Sequence, residues 1–196
     1  MALNDTADVS NVKGVRGGYG FSAPAGTTVG TDQDPFAALG TEFKNMGFIS
    51  SDGIEEEIDT DTEEVHDLNG EVICVLKSSE TETLTLTLVS ITEDSLSEWH
   101  GHGAVSESGN VITVKHAAID HDIRCYVFEL LLKDGRKWRK VVPNGQVTEV
   151  GSIVHGSGEV AGREVTITCM PDADGFRMYD YIQKTATTTT TTTTGE

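Results

Sequence analysis

Through the centre of the chain, apolar and polar residues alternate with a period of two. In Thr81–Ile91, Leu84, Leu86 and Leu88 fall on one face of an extended strand, and Thr83, Thr85 and Thr87 fall on the other. Similar patterns predict strands at Glu71–Leu76, Val111–Lys115, Asp122–Leu132, Trp138–Val142, Gln146–Val154, Glu159–Cys169 and Phe176–Ile182. Turn residues separate several of them: Asn69–Gly70, Gly109–Asn110 and Asp134–Gly135, the last a hairpin signal. One segment, ITEDSLSEWHG, reads as a helix. It has a capping residue at Thr92 or Asp94, acidic residues in its first turn and Gly101 past its end. Leu96 and Trp99, three apart, are predicted to pack on the sheet. About eight strands and one helix predict a mainly β fold, a β-sandwich or half-barrel with one flanking α-helix and long loops.

The two ends of the chain depart from this pattern. Residues 1–35 are rich in Gly, Ala, Thr and Asp and read as an extended N-terminal arm with no packed element of its own. A short helical turn is expected at Phe36–Leu39, after Pro35. The β domain is predicted to occupy residues 36–183. Residues 184–196 form a low-complexity tail with eight consecutive threonines, Thr187–Thr194, read as flexible and polar. The first ten residues contain two aspartates and no basic residue, so no secretory signal is expected. No stretch approaches the roughly 18 apolar residues of a membrane helix.

Charge narrows the function. The formal net charge is −18, which argues against a protein that grips nucleic acid or anionic lipid through a basic surface. Asp52–Glu98 holds 15 acidic residues against Lys77 alone. Within it, Glu55, Glu57, Asp59 and Asp61 share one face of an extended strand, opposite Ile54, Glu56, Ile58 and Thr60. Like charges about 7 Å apart repel by a few tenths of a kcal/mol per pair, so a face that repeats this cost is a candidate repelling surface. The converse is KDGRKWRK, where Lys133, Arg136, Lys137, Arg139 and Lys140 flank a hairpin turn. In an acidic chain this hairpin is expected to dock on an acidic surface of an identical neighbour. A contact between unlike patches builds rings or open stacks.

Other motifs carry little chemistry. His100 and His102 supply two metal ligands at most, and a loop is the simpler reading. Asp120-His121-Asp122 lacks a nucleophile motif and reads as a polar strand entrance. Gly156-x-Gly158-x-x-x-Gly162 misses the dinucleotide fingerprint and leads into a strand, so it reads as a hairpin tip. Cys74, Cys125 and Cys169 are expected to be buried small hydrophobes. No catalytic residue, metal or cofactor is expected.

The glycine-rich arm, the passage FKNMGFISSDGI (Phe43 to Ile54) and the strand–helix unit Leu84–Gly101 resemble the major tail tube proteins of long-tailed, non-contractile bacteriophages. The passage is similar to the phrase FKNLGYVSEDG of such proteins from phages of actinobacteria. The likeness runs over about residues 10–183, and the threonine tail departs from it. The resemblance implies a β-sandwich flanked by a helix, six copies to a ring, and rings stacked into a hollow tube whose inner strands close into one barrel. It implies self-association, and a tape-measure protein, a tail-tip initiator and a tail terminator as partners. It also implies passage of DNA without binding, no membrane contact, assembly in the host cytoplasm and residence in the virion tail. The Glu55/Glu57/Asp59/Asp61 face is then a candidate channel lining, or residues 61–70 bridge to the adjacent ring and meet the 133–140 hairpin. Two other readings stand beside it: a β-sandwich decoration or adhesion module, and a β-sandwich hydrolase using Asp120, His121 and Asp122.

Overall fold

A computed structural model describes residues 9–30, 33–118, 120–158 and 160–184. The threonine run and the first eight residues lie outside the described residues, as does the reading of the tail as flexible.

In chain order the strands are β1 (Val12–Gly14), β2 (Gly20–Pro24), β3 (Lys44–Asn45), β4 (Ile49–His66) and β5 (Val72–Leu88). They are followed by helix α1 (Glu93–His100), then β6 (Val105–Ser108), β7 (Val111–Val114), β8 (Arg124–Leu132), β9 (Lys137–Val150), β10 (Arg163–Met170) and β11 (Tyr179–Ile182). One antiparallel sheet runs β3-β2-β8-β9-β10-β5-β4, and β6-β7 forms a separate hairpin. β1 continues the β2 edge along β8, and β11 continues the β10 edge along β9. The sheet curls without closing, with β4 and β3 as open edges. The mainly β class with one flanking helix is what the alternation predicted.

Several expected strands prove to be parts of longer ones. Glu71–Leu76 and Thr81–Ile91 merge into β5, because Lys77–Glu80 between them contains no Gly, Pro, Asn or Asp to turn the chain. Trp138–Val142 and Gln146–Val154 merge into β9, although Pro143 and Gly145 lie between. Gly145 allows a close approach there: a Cβ on it would meet the Tyr126 ring at 2.7 Å and Ile167 at 2.8 Å.

The arm differs more. β2 lies within the sheet, with Ala23 fully buried and Ser22 buried beside it. Residues 20–24 are therefore part of the body, because β8 offers the edge with which they pair. The helix expected at Phe36–Leu39 is a single turn, closed by the Ala37 amide donating to the Asp34 carbonyl.

Two apolar clusters lie on opposite faces of the sheet. The larger gathers Leu84, Leu86, Tyr126, Phe128, Ile167 and neighbours inside the curl. Trp99 of α1 is buried in this cluster, and Leu96 packs against it. The smaller, around Ala23, Cys125, Val127 and Val141, lies outside the curl and is covered in part by Phe43, Val29 and Leu39 of the segment after β2.

Helix α1 is short and depends on its caps. The Thr92 hydroxyl accepts from the Ser95 amide at 3.2 Å while the Ser95 hydroxyl accepts from the Thr92 amide at 2.9 Å, a reciprocal capping box. Its buried face carries Glu98, which accepts from the Ser22 hydroxyl at 2.6 Å and the Tyr126 hydroxyl at 3.0 Å. Arg124 Nε lies 3.8 Å from Glu98 and His102 Nε2 lies 3.5 Å from it. Burial raises the Glu98 pKa, against these hydrogen bonds and the Arg124 charge. Burial also lowers the His102 pKa to about 4, so its ring is neutral at pH 7.

Candidate assembly surfaces

The longest feature is the β4–β5 ribbon. Asp67 and Gly70 make its turn: the Asp67 carboxylate accepts from the Asn69 and Glu71 amides at 2.8 Å each, and Gly70 takes φ 87°. β10 supports β5 only over Glu82–Leu88. Beyond Glu82 the ribbon is two strands with no third among the described residues.

At its base the ribbon has two unlike faces. Register sets Ile54 opposite Leu86 and Glu56 opposite Leu84, on the core side. On the other side Glu55, Glu57, Asp59 and Asp61 stand opposite Thr85, Thr83, Thr81 and Ser79. All four carboxylates are exposed. The polar face continues across β10 and β9, with Thr85 and Thr166 hydroxyls 3.1 Å apart and Thr148 and Thr168 hydroxyls 2.8 Å apart. The Ser79 hydroxyl donates to Asp61 at 2.9 Å. The alternation therefore brings the four predicted acidic residues onto a broad sheet face of hydroxyls and carboxylates.

On the core side the ribbon is clamped to the body. Lys140 of β9, buried, donates to Glu56 at 2.6 Å and to Asp180 of β11 at 2.9 Å. Burial works to lower the Lys140 pKa, but the hydrogen bonds to the two carboxylates outweigh it and the net shift is upward. Arg177 donates to the Glu80 carboxylate at 2.8 Å and to the Glu80 carbonyl at 3.0 Å, and Lys77 also pairs with Glu80. Glu82, between these groups, has a raised pKa, mainly through desolvation and secondarily through the Glu56 charge.

The basic hairpin divides. Arg139 is buried and donates to Glu129 through Nε at 2.8 Å, and to the carbonyls of Pro35 and Ala37 at 2.8 and 2.9 Å. It pins the segment after β2 onto the sheet. With Lys140 also engaged, these two side chains face other parts of the same subunit. Arg136 pairs with Asp134 beside the turn. Lys133 and Lys137 are exposed. Sequence position could not separate these residues, because strand alternation turns Arg139 and Lys140 to opposite faces and both faces are covered.

The remaining candidates do not converge on a site. His100 and His116 meet edge to face, centroids 4.6 Å apart. Among the described residues no group of three or more His, Cys, Asp or Glu is arranged to hold a metal. Among them also, no helix is long and apolar enough to cross a membrane. Cys125 and Cys169 are buried, with thiol pKa values pushed by burial to about 11 and about 12, but Cys74 is exposed. Its apolar neighbours suggested burial, yet among the described residues the ribbon there has no layer on either side.

The family model described as phage tail tube protein matches residues 1–193. The chain belongs to the phage tail tube protein family. This is a structural family, not an enzyme family, and it places the subunit in the self-assembled tube of a virion tail. No curated protein matches. Among solved structures, the tube-terminating cap of an anti-feeding prophage is 16% identical, with a TM-score of 0.46 over 93% of this chain and 100% of that one. The sheath-tube complex of an extracellular contractile injection system is 15% identical, with a TM-score of 0.43 over 86% and 92%.

Proposed function

We propose that this tail tube subunit closes into hexameric rings stacked as the hollow tail of a non-contractile phage, and that the Glu55/Glu57/Asp59/Asp61 face lines the bore through which the genome is delivered. The observation that carries the reading is the composition of that sheet face. It is wide and ordered, it has no apolar residue at the four acidic positions or opposite them, and its carboxylates recur at every second residue. A wall that guides DNA must not hold it. Fixed negative charge denies the phosphates a counterion-releasing partner, and the hydroxyl lattice satisfies itself sideways. The long open edge of β4 supports ring closure: an 18-residue edge strand left unpaired invites pairing, and a closed barrel removes it.

In this reading the exposed Lys133 and Lys137 of the 133–140 hairpin, with the half-buried Arg136 beside them, take part in ring-to-ring contact, while Arg139 and Lys140 hold the subunit together. The tube assembles in the host cytoplasm around a tape-measure protein, from a tail-tip initiator to a terminator.

The test is reversal of all four carboxylates to lysine in a virion. Tails should form, and ejected DNA should be retained in the tube in a salt-dependent way. Normal ejection kinetics from such tails would remove this face from the bore.

A further inference from the structure

The chain contains Asn-Gly twice, at Asn69–Gly70 and at Asn144–Gly145, and the fold puts the two copies in opposite surroundings. Asn69 and Gly70 lie in the β4–β5 turn and are both exposed, next to Leu68, whose side chain is wholly in water. A Cβ placed on Gly70 would meet nothing within 4 Å. The bonds that hold the pair run to Asp67. The Asn69 amide donates to its carboxylate at 2.8 Å, the Asn69 side-chain Nδ2 to the same carboxylate at 3.2 Å, and the Gly70 amide to its carbonyl at 3.1 Å. Opening this turn breaks a few local bonds and no apolar packing.

The same dipeptide at Asn144–Gly145 sits inside β9, between β8 and β10. Gly145 stands opposite Arg124 on one side and Cys169 on the other. It is buried, and the Tyr126 ring and Ile167 close the space beside its Cα. The Asn144 side-chain Nδ2 donates to the Pro171 carbonyl at 3.2 Å. Freeing this pair requires the central ladder of the sheet to open, at a free energy near that of global unfolding.

We infer that Asn69 is a site of spontaneous deamidation by water, and that the fold protects Asn144 from the same reaction. Hydroxide removes the Gly70 amide proton, and the nitrogen attacks Asn69 Cγ. The N–Cγ bond forms, the Cγ–Nδ2 bond breaks, and Nδ2 takes a proton from water and leaves as ammonia. The cyclic imide that results is opened by water at either carbonyl, giving aspartate or isoaspartate, and no atom is oxidised or reduced. Glycine at 70 favours the step because it has no Cβ to crowd the attacking nitrogen and its backbone reaches conformations closed to other residues. The product places a carboxylate where Nδ2 had donated to Asp67, so like charges meet in the turn. Isoaspartate also adds a methylene to the backbone and spoils the spacing of the Asp67 bonds. The turn of the ribbon therefore loosens with age. The chemistry belongs to the folded subunit and does not depend on how copies assemble.

The test is peptide mapping by mass spectrometry of the full chain, kept dilute and unassembled at mildly alkaline pH. The peptide containing Asn69 should gain the mass of an amide-to-acid exchange and split into two isomers, one of them a substrate for isoaspartyl methyltransferase. Asn144 should react more slowly by more than about tenfold. In guanidinium chloride the two rates should converge, since the dipeptide is the same and only the fold separates them. Asn69→Gln should remove the signal from the native chain. Amide exchange at residues 67–71 should be faster in aged protein than in fresh, and equal exchange would overturn the loosening of the turn. An Asn69 peptide that stays unchanged in the native chain, or equal rates at the two sites while the chain is folded, would overturn the inference.

Discussion

The base and the distal end of the β4–β5 ribbon are the same two strands, yet they answer to different constraints. At the base, Leu84 and Leu86 are buried, β10 adds a third strand, and Lys140 and Arg177 tie the ribbon to the body. Beyond Glu82 there is no third strand among the described residues, the aliphatics are exposed and the carboxylates crowd together. The base is a product of folding within one chain. The distal end leaves Val72, Ile73, Val75 and Leu76 in water, so one hairpin contains both part of the subunit's core and an exposed aliphatic surface.

That contrast can be broken by substitution. The largest effect is expected for Leu84→Ala, which should destabilise the isolated subunit by about 2–5 kcal/mol through a cavity in the core; chemical denaturation measures it. A loss below about 1 kcal/mol would mean that the base is not part of the cooperative unit.

A pH titration tests the body apart from the ribbon. The folded-state pKa of His102 lies below its unfolded value of 6.5, at about 4. The unfolded chain therefore binds the extra proton first, and stability is lost as pH falls from 6.5 towards 4. The loss is up to about 3 kcal/mol. Glu98 acts with the opposite sign, since its raised pKa favours the folded state on protonation. His102→Gln should flatten the dependence of melting temperature on pH in that window, leaving a residue from His100 and His121, whose pKa values are also lowered by burial. An unchanged profile would show that His102 is not held neutral.

Lys140→Ala removes the cation between Glu56 and Asp180. The expected cost is about 1–3 kcal/mol, less than for a fully buried pair because both carboxylates are partly exposed. Amide exchange should quicken at the ribbon base more than in β8. The smallest effect is expected at the far end, where Val75→Ser should change subunit stability by no more than about 0.5 kcal/mol. A large loss of monomer stability there would erase the distinction between the two halves.

Much of this was legible from the chain. The alternation in TLTLTL located the core face, the Asp134–Gly135 turn located a hairpin, and ITEDSLSEWHG marked both ends of α1. The acidic positions 55, 57, 59 and 61 were assigned to one face, and the register brings them together. Less legible were the strand lengths, the role of the arm and the fate of the basic residues. Gly20–Pro24 has no period strong enough to announce a sheet strand; it joins because β8 offers an edge. Arg139 and Lys140 were indistinguishable in sequence from Lys133 and Lys137, and Cys74 from its buried counterparts.

The division has a physical basis. Local rules act over a few residues: side chains alternate along a strand, capping residues satisfy the first amides of a helix, and glycine turns a hairpin. The sequence alone therefore determined the strand faces, the helix and its ends, and the concentration of charge. Burial and ion pairing depend on what arrives from elsewhere in the chain. Only the tertiary structure decided that Arg139 and Lys140 turn inward to Glu129 and Glu56, and that the ribbon outruns β10 and leaves its aliphatic end bare.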